Sequence, residues 1–308
     1  MRLRSKLLVG TIILLGVVLI AGGILFWKRP LEIYAWFGRR ALAKAGLQRV
    51  AVDTPAGRQV AWQGGSGPTL VFLHGAGDQA ATWCKVLPPL VANYRLIVPD
   101  LPGHGGSAPE AGPLSIGTVL AGTAALLDNV APGKPAILVG NSLGAWIGMV
   151  LALEKPERVT RLVIINGGGS KGERPDLTLT PANREEARQL MSALRDPGNP
   201  FIPDFVLDDV IRQSKSGPIG RLASAAVEME EYLLDNRLQE LEVPVDLVWG
   251  ESDRLFSVDY ARRMLARLPA ARLTIIPRCG HLPQQECPDK VREELIKILH
   301  QEPPSSVP

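Results

Sequence analysis

Residues 136–154 read AILVGNSLGAWIGMVLALE. The first five are apolar throughout rather than alternating, as in a strand covered on both faces. The last twelve, LGAWIGMVLALE, form a helical run. Between them Gly140-Asn141-Ser142-Leu143-Gly144 fits the pattern G-x-S-x-G. A strand that turns sharply into a helix here forces Ser142 into a strained backbone and lifts its hydroxyl above the sheet. Small residues two positions to either side leave room for that turn. The helix N-terminus also points amide donors at a developing anion. The bland alternative is a tight turn with an incidental serine.

A serine hydroxyl is a poor nucleophile without a base. The chain has four histidines, so the base can be sought by elimination. His300 falls in the last helical stretch and reads as a surface residue. His104 sits in the loop from Asp100 to Ser107 and reads as structural. His74 ends a strand just before Gly75, too close to that turn to be a free base. His281 remains, in Arg278-Cys279-Gly280-His281-Leu282-Pro283 after a late strand. An imidazole needs an acid to fix its tautomer and stabilise its cation. Asp253, in Gly250-Glu251-Ser252-Asp253, follows a strand directly; Glu251 is the runner-up. The other place for an acid, after the strand at 161–165, is taken by Asn166, which cannot be the anion.

From residue 50 onward short β-branched runs alternate with helical stretches. Strands are expected at 58–63, 69–73, 95–99, 136–140, 161–165, 245–249 and 272–276. Helices are expected near 80–92, 115–129, 142–154, 257–267 and 288–300. The alternation predicts an α/β fold, a mostly parallel sheet flanked by helices. Between Ile165 and Val245 almost 80 residues lack a convincing strand. So long a structureless loop is improbable inside a compact domain. Residues 167–240 therefore read as a helical cap, with helices near 182–195, 204–215 and 219–240. The core is then 50–166 with 241–300. The tail 301–308, QEPPSSVP, reads as disordered.

The order Ser142, Asp253, His281 resembles the triad of the α/β-hydrolase superfamily. His74-Gly75-Ala76-Gly77, the loop from Asp100 to Ser107, the elbow at 140–144, the GESD turn and the late Gly280-His281 match its landmarks in order. The resemblance implies two oxyanion-hole amides, which by position are those of Ala76 and Leu143. It also implies that 167–240 is the family's cap. Most apolar cap residues must pack the cap itself; Met191, Phe205 and Met229 are the candidates for an acyl pocket. Within the superfamily the chain looks most like serine esterases and monoacylglycerol lipase-type enzymes, acting on a small or lipid-like ester without a cofactor. It also resembles carbon–carbon bond hydrolases, although Asp78-Gln79 stand where those enzymes carry a proline. An amidase or thioesterase would use the same triad. A non-catalytic receptor could keep the same fold, since fold does not imply function.

Composition narrows these classes. With 46% hydrophobic and 21% charged residues, the chain is no disordered segment. Its net charge of +3 is uneven: residues 1–49 hold nine Lys/Arg and one acid, Glu32, leaving 25 basic and 30 acidic residues beyond. The folded domain therefore lacks the basic excess of a nucleic-acid binder. Cys84, Cys279 and Cys287 make no disulfide framework, and nothing has metal-site spacing. Residues 7–27 carry no charge; as a helix they would rise about 31 Å, roughly a bilayer core. This predicts a single-pass anchor at 7–27 behind a basic N-tail at 1–6. Residues 28–49 would be a juxtamembrane segment, lying in the interface or forming a solvated linker helix. Three basic residues precede the run and five follow it within twenty residues, which leans toward a cytoplasmic domain. The short N-tail argues the reverse.

Overall fold

The computed structural model describes residues 2–171 and 176–305. Met1 of the N-tail, residues 172–175 of the expected cap and 306–308 of the tail lie outside the described residues. The framework is an eight-stranded sheet. Its strands are β1 (Gln48–Thr54), β2 (Gly57–Gly64), β3 (Thr69–Leu73), β4 (Arg95–Pro99), β5 (Ala136–Asn141), β6 (Val159–Ile165), β7 (Val245–Gly250) and β8 (Ala271–Ile276). They lie in the order β1-β2-β4-β3-β5-β6-β7-β8. β2 pairs antiparallel with β1 and β4, and the other pairings are parallel. β5, which leads into Ser142, is thus central, between β3 and β6.

Alternate residues of the strands serve opposite faces, which is why these runs are apolar throughout. Val71 and Leu73 of β3, Leu138 of β5 and Leu247 of β7 point to one side. There they meet α3 (Ile116–Val130), α4 (Leu143–Glu154) and α9 (Val258–Leu265) through residues such as Leu126, Ile147 and Met264. Leu70, Phe72, Val139 and Val248 point to the other side. They meet Trp83, Leu87 and the helix α11 (Pro288–His300). Two layers of helix on one sheet follow from that alternation.

The elements differ from the sequence expectation where local chemistry is weak. β1 was not expected; QRVAVDT is a half-exposed edge strand paired only with β2. The helix expected at 80–92 is a single 3-10 turn, Ala80–Trp83, followed by turns. Pro88 and Pro89 withhold the amide donors a longer helix would need. Between β6 and β7 stand α5 (Arg184–Leu194), α6 (Asp204–Ser216), α7 (Pro218–Ala223) and α8 (Ala226–Met229). The last predicted segment, 219–240, is thus broken into short pieces.

The N-terminal expectation is corrected. The helices α1 (Arg2–Lys28) and α2 (Pro30–Lys44) form, but among the described residues no helix is long and apolar enough to cross a membrane. That finding contradicts the expected single-pass membrane localisation, with its lean toward a cytoplasmic domain. Part of the apolar run serves packing instead: Phe26 and Trp27 stand 5.5 and 4.6 Å, ring to ring, from Phe205 of α6. α2 packs on the domain. Ala35, Gly38 and Leu42 are buried, and Leu42 joins Trp83 and Leu87 in the core. We expect Leu42→Ala to lower unfolding stability by about 2–5 kcal/mol, as for a fully buried leucine. Urea denaturation measures it; a loss under about 0.5 kcal/mol would show that α2 is not part of the folding unit.

Candidate active site

Ser142 occupies φ 52°, ψ −115°, at the sharp turn between β5 and α4. The flanking glycines are demanded by contact. A Cβ at Gly140 would lie 2.5 Å from the Ala145 nitrogen, and one at Gly144 would lie 2.3 Å from the Leu73 carbonyl oxygen. The turn therefore presses α4 against the end of β3 and leaves Ser142 half-buried, at the rim of a cleft. The amide of Leu143 opens α4, and Ala76 lines the cleft from the loop after β3. Both expected oxyanion donors thus lie around Ser142.

Asp253 and His281 arrive from the ends of β7 and β8. His281 Nδ1 lies 2.8 Å from Asp253 Oδ2, and both residues are buried. Asp253 is held from three further sides. Asn166 Nδ2 donates to Oδ2 at 2.6 Å, and the amides of Leu255 and Phe256 donate to Oδ1 at 2.8 and 2.9 Å. A carboxylate fixed this way can take the imidazole Nδ1–H and leave Nε2 free as a base toward the cleft. Among the described residues no hydrogen bond joins Ser142 Oγ to His281, though both line the same cleft. Such bonds are often long in a free enzyme and tighten around substrate. Glu251, the runner-up acid, instead accepts from the Arg278 amide.

The remaining histidines are held as structural groups. His74 bridges the Gly75 carbonyl at Nδ1, 2.8 Å, and accepts the Leu101 amide at Nε2, 2.9 Å. Burial drops its pKa to about 4, so it stays neutral and stitches two loops together. His104 is buried against the Pro102 carbonyl and drops to about 3 for the same reason. His300 caps its own helix at the Ile296 carbonyl.

Some contributors were not visible in the sequence. Asn141, inside the elbow pattern, donates to the carbonyls of Ile165 and His281 at 3.0 and 3.1 Å, and accepts from Gln284. It ties the serine turn to the histidine loop. In sequence Asn166 only rules itself out as the acid; in the structure it serves the acid as a donor, with φ 46° and its Oδ1 accepting the Gly250 amide. Asparagine tolerates that backbone better than most residues, which was the available signal. Cys279 and Cys287 form a disulfide that brackets the His281 loop.

The cleft holds about 280 Å³, near the lower end of small-molecule sites. Leu190, Met191 and Leu194 of α5, Val210 of α6 and Ile219 of α7 supply an apolar wall. Of the three expected pocket residues, Met191 lines the cleft. Phe205 packs on Phe26 and Trp27, and Met229 packs against the core. No Lys or Arg stands among the described residues that line it, whereas Glu32 and Asp78 do.

Two variants separate the candidate acids. Asp253→Asn should lower turnover by up to about 10⁴, because the wrong imidazole tautomer is favoured. Glu251→Gln should change it by less than about tenfold, since it holds only a turn. Steady-state rates on a soluble ester check this, and a reversal of the two would move the acid to Glu251.

Comparison with known proteins agrees with this architecture. Residues 70–294 match the Alpha/beta hydrolase family. A 2-hydroxy-6-oxononadienedioate/2-hydroxy-6-oxononatrienedioate hydrolase of Cupriavidus pinatubonensis is 32% identical over 279 residues, 80% of this chain and 93% of that protein. Among solved structures, a membrane phospholipase A described as a bacterial virulence factor superposes with a TM-score of 0.75 at 25% identity, covering 96% of this chain and 98% of its own. The naproxen esterase of Bacillus subtilis shares the fold, with a TM-score of 0.72 at 21% identity over 87% and 98% of the two chains. The chain belongs to the alpha/beta hydrolase family.

Proposed function

We propose that the protein cleaves a carboxylic ester through an acyl-enzyme on Ser142. The observation that carries this reading is the cleft itself: Ser142 and His281 face one cavity that has an apolar wall and no cationic side chain among its described lining. Ser142 Oγ attacks the ester carbonyl and passes its proton to His281 Nε2. Asp253 stabilises the resulting imidazolium. The amides of Ala76 and Leu143 hold the tetrahedral oxyanion, each worth about 10²–10³ in rate. His281 then protonates the leaving alcohol, and water attacks the acyl-enzyme with the histidine again as base.

The second reading is carbon–carbon bond hydrolysis, favoured by the relative at 32% identity. That relative's named substrate is a dioate, with two carboxylates. Here Glu32 and Asp78 line the cavity, and no Lys or Arg among its described lining residues could neutralise a dianion. An unpaired carboxylate moved out of water is costly to bury. The charge of the cleft therefore favours a neutral ester. The phospholipase and esterase neighbours carry names of the same chemistry.

Two experiments test the reading. The protein should hydrolyse p-nitrophenyl esters, and Ser142→Ala should lose at least about 10³ in turnover while folding normally. Near-wild-type hydrolysis by that variant would remove the serine. Faster cleavage of a 2-hydroxy-6-oxo-dienedioate than of any ester would favour the second reading. Met191→Trp should shift preference toward shorter acyl chains, since one methylene in an apolar pocket is worth about 10–200-fold. Met229→Trp, off the cleft, should leave the chain-length profile unchanged. If Met191→Trp also leaves it unchanged, the α5 wall does not hold the acyl chain.

A further inference from the structure

The family match begins at residue 70, yet one wall of the cleft comes from α2 at residues 30–44. Leu31 and Ala35 lie one turn apart on one helix face with Glu32 and Tyr34 at its flanks, and all four line the same cavity as Ser142 and His281. The helix is fixed at both ends of that face. The Leu31 amide donates to Asp209 Oδ2 of α6 at 3.0 Å, and Asp209 is buried. Arg39 Nη1 donates to Gln79 Oε1 at 2.7 Å, three residues beyond the Ala76 amide. At Gly38 the helix comes so close to Ala81 that an added Cβ would lie 2.9 Å from its carbonyl oxygen. This wall thus spans from the oxyanion loop to the helices above the sheet.

The wall faces the polar end of the cleft. Asp78 Oδ2 accepts from Gln285 Nε2 at 2.8 Å, and Gln285 also reaches Thr82 at 2.8 Å. Gln285 lies in the turn α10 (Pro283–Glu286), four residues past His281. His281 must hand its proton to the departing oxygen, so the leaving group belongs on the side of that turn. The apolar wall of α5 is left for the acyl chain. Glu32 is paired with Arg39 at 2.7 Å. Burial lifts the Asp78 carboxyl to about 6, leaving it partly neutral near that pH. Tyr34 is 44% exposed; partial burial and the nearby Cys84 and Asp78 push its phenol up to about 12, so it remains a hydrogen donor. Among the described residues its hydroxyl has no hydrogen-bond partner. At neutral pH Asp78 is mostly ionised and accepts from Gln285, so the polar end offers carboxylate acceptors beside the Tyr34 donor, a combination that suits neutral hydroxyls.

Resting on the ester reading above, we infer that α2 is the leaving-group wall of the cleft and that Tyr34 selects alcohols carrying further hydroxyls, as in esters of a polyol. The test uses the full chain and two substrate series. One holds the acyl group constant, monobutyrylglycerol against propyl butyrate. The other holds the alcohol constant, p-nitrophenyl butyrate against octanoate. Tyr34→Phe keeps the ring and removes the hydroxyl. It should lower the kcat/KM ratio of monobutyrylglycerol to propyl butyrate about three- to tenfold, the size of one hydrogen bond between neutral groups. The butyrate-to-octanoate ratio should not move. Lys44→Ala, exposed on the same helix, should alter neither ratio. An unchanged alcohol ratio in both Tyr34→Phe and Tyr34→Ala overturns the inference while leaving the ester reading intact. So does a change confined to the acyl series. Loss of all ester hydrolysis in the wild type would remove both.

Discussion

Ser142 sits at φ 52°, ψ −115°, a backbone state that costs a non-glycine residue about 1–3 kcal/mol. The rest of the site depends on that turn being held. Two glycines let α4 close against β3, and the Ser142 amide donates to the Ile165 carbonyl at the end of β6. Asn141 adds bonds to β6 and to the histidine loop. The strain is thus offset by hydrogen bonds to two neighbouring segments, and the serine is presented rather than buried.

The same sheet edge brings the partners together. β3, β5, β6, β7 and β8 run parallel, so their following loops emerge on one side of the sheet. Ala76, Ser142, Asn166, Asp253 and His281 come one from each, in strand order across the sheet. Sites of open parallel sheets gather at that edge because the loops converge there. The segment between β6 and β7 is fastened to it as well: the Leu194 carbonyl accepts the His281 amide at 2.8 Å, and the Ala193 carbonyl accepts the Arg254 amide. The wall facing the cleft is therefore built against the loops that carry Asp253 and His281.

Much of this was legible in the residues. The parallel strands were readable because both faces are covered, which leaves continuous apolar runs such as TLVFL and RLVII. Ser142, Asp253 and His281 stood out because each follows such a run and few alternatives compete. Local sequence failed where meaning comes from distant contacts. β1 is an edge strand without a strong pattern. Asn166 gains its role only from Asp253, 87 positions away. Phe205 and Met191 are both apolar residues on neighbouring helices, but only the packing of Phe26 and Trp27 decides which of them meets the cleft. The apolar N-terminal run reads as a span from its missing charges alone, but among the described residues no helix is long and apolar enough to cross a membrane. α2 showed aromatic and basic residues in sequence; its small buried face, Ala35, Gly38 and Leu42, is what seats it on the domain.

Ester cleavage by Ser142 passes through a covalent acyl group on its oxygen. Mixing the protein with a slowly deacylating ester, quenching in acid within the first turnovers and mapping the peptides by mass spectrometry tests it directly. One acyl mass increment is expected on the peptide containing Ser142, accumulating before steady state and absent from Ser142→Ala. Steady ester turnover with no adduct, or an adduct on another residue, would contradict it.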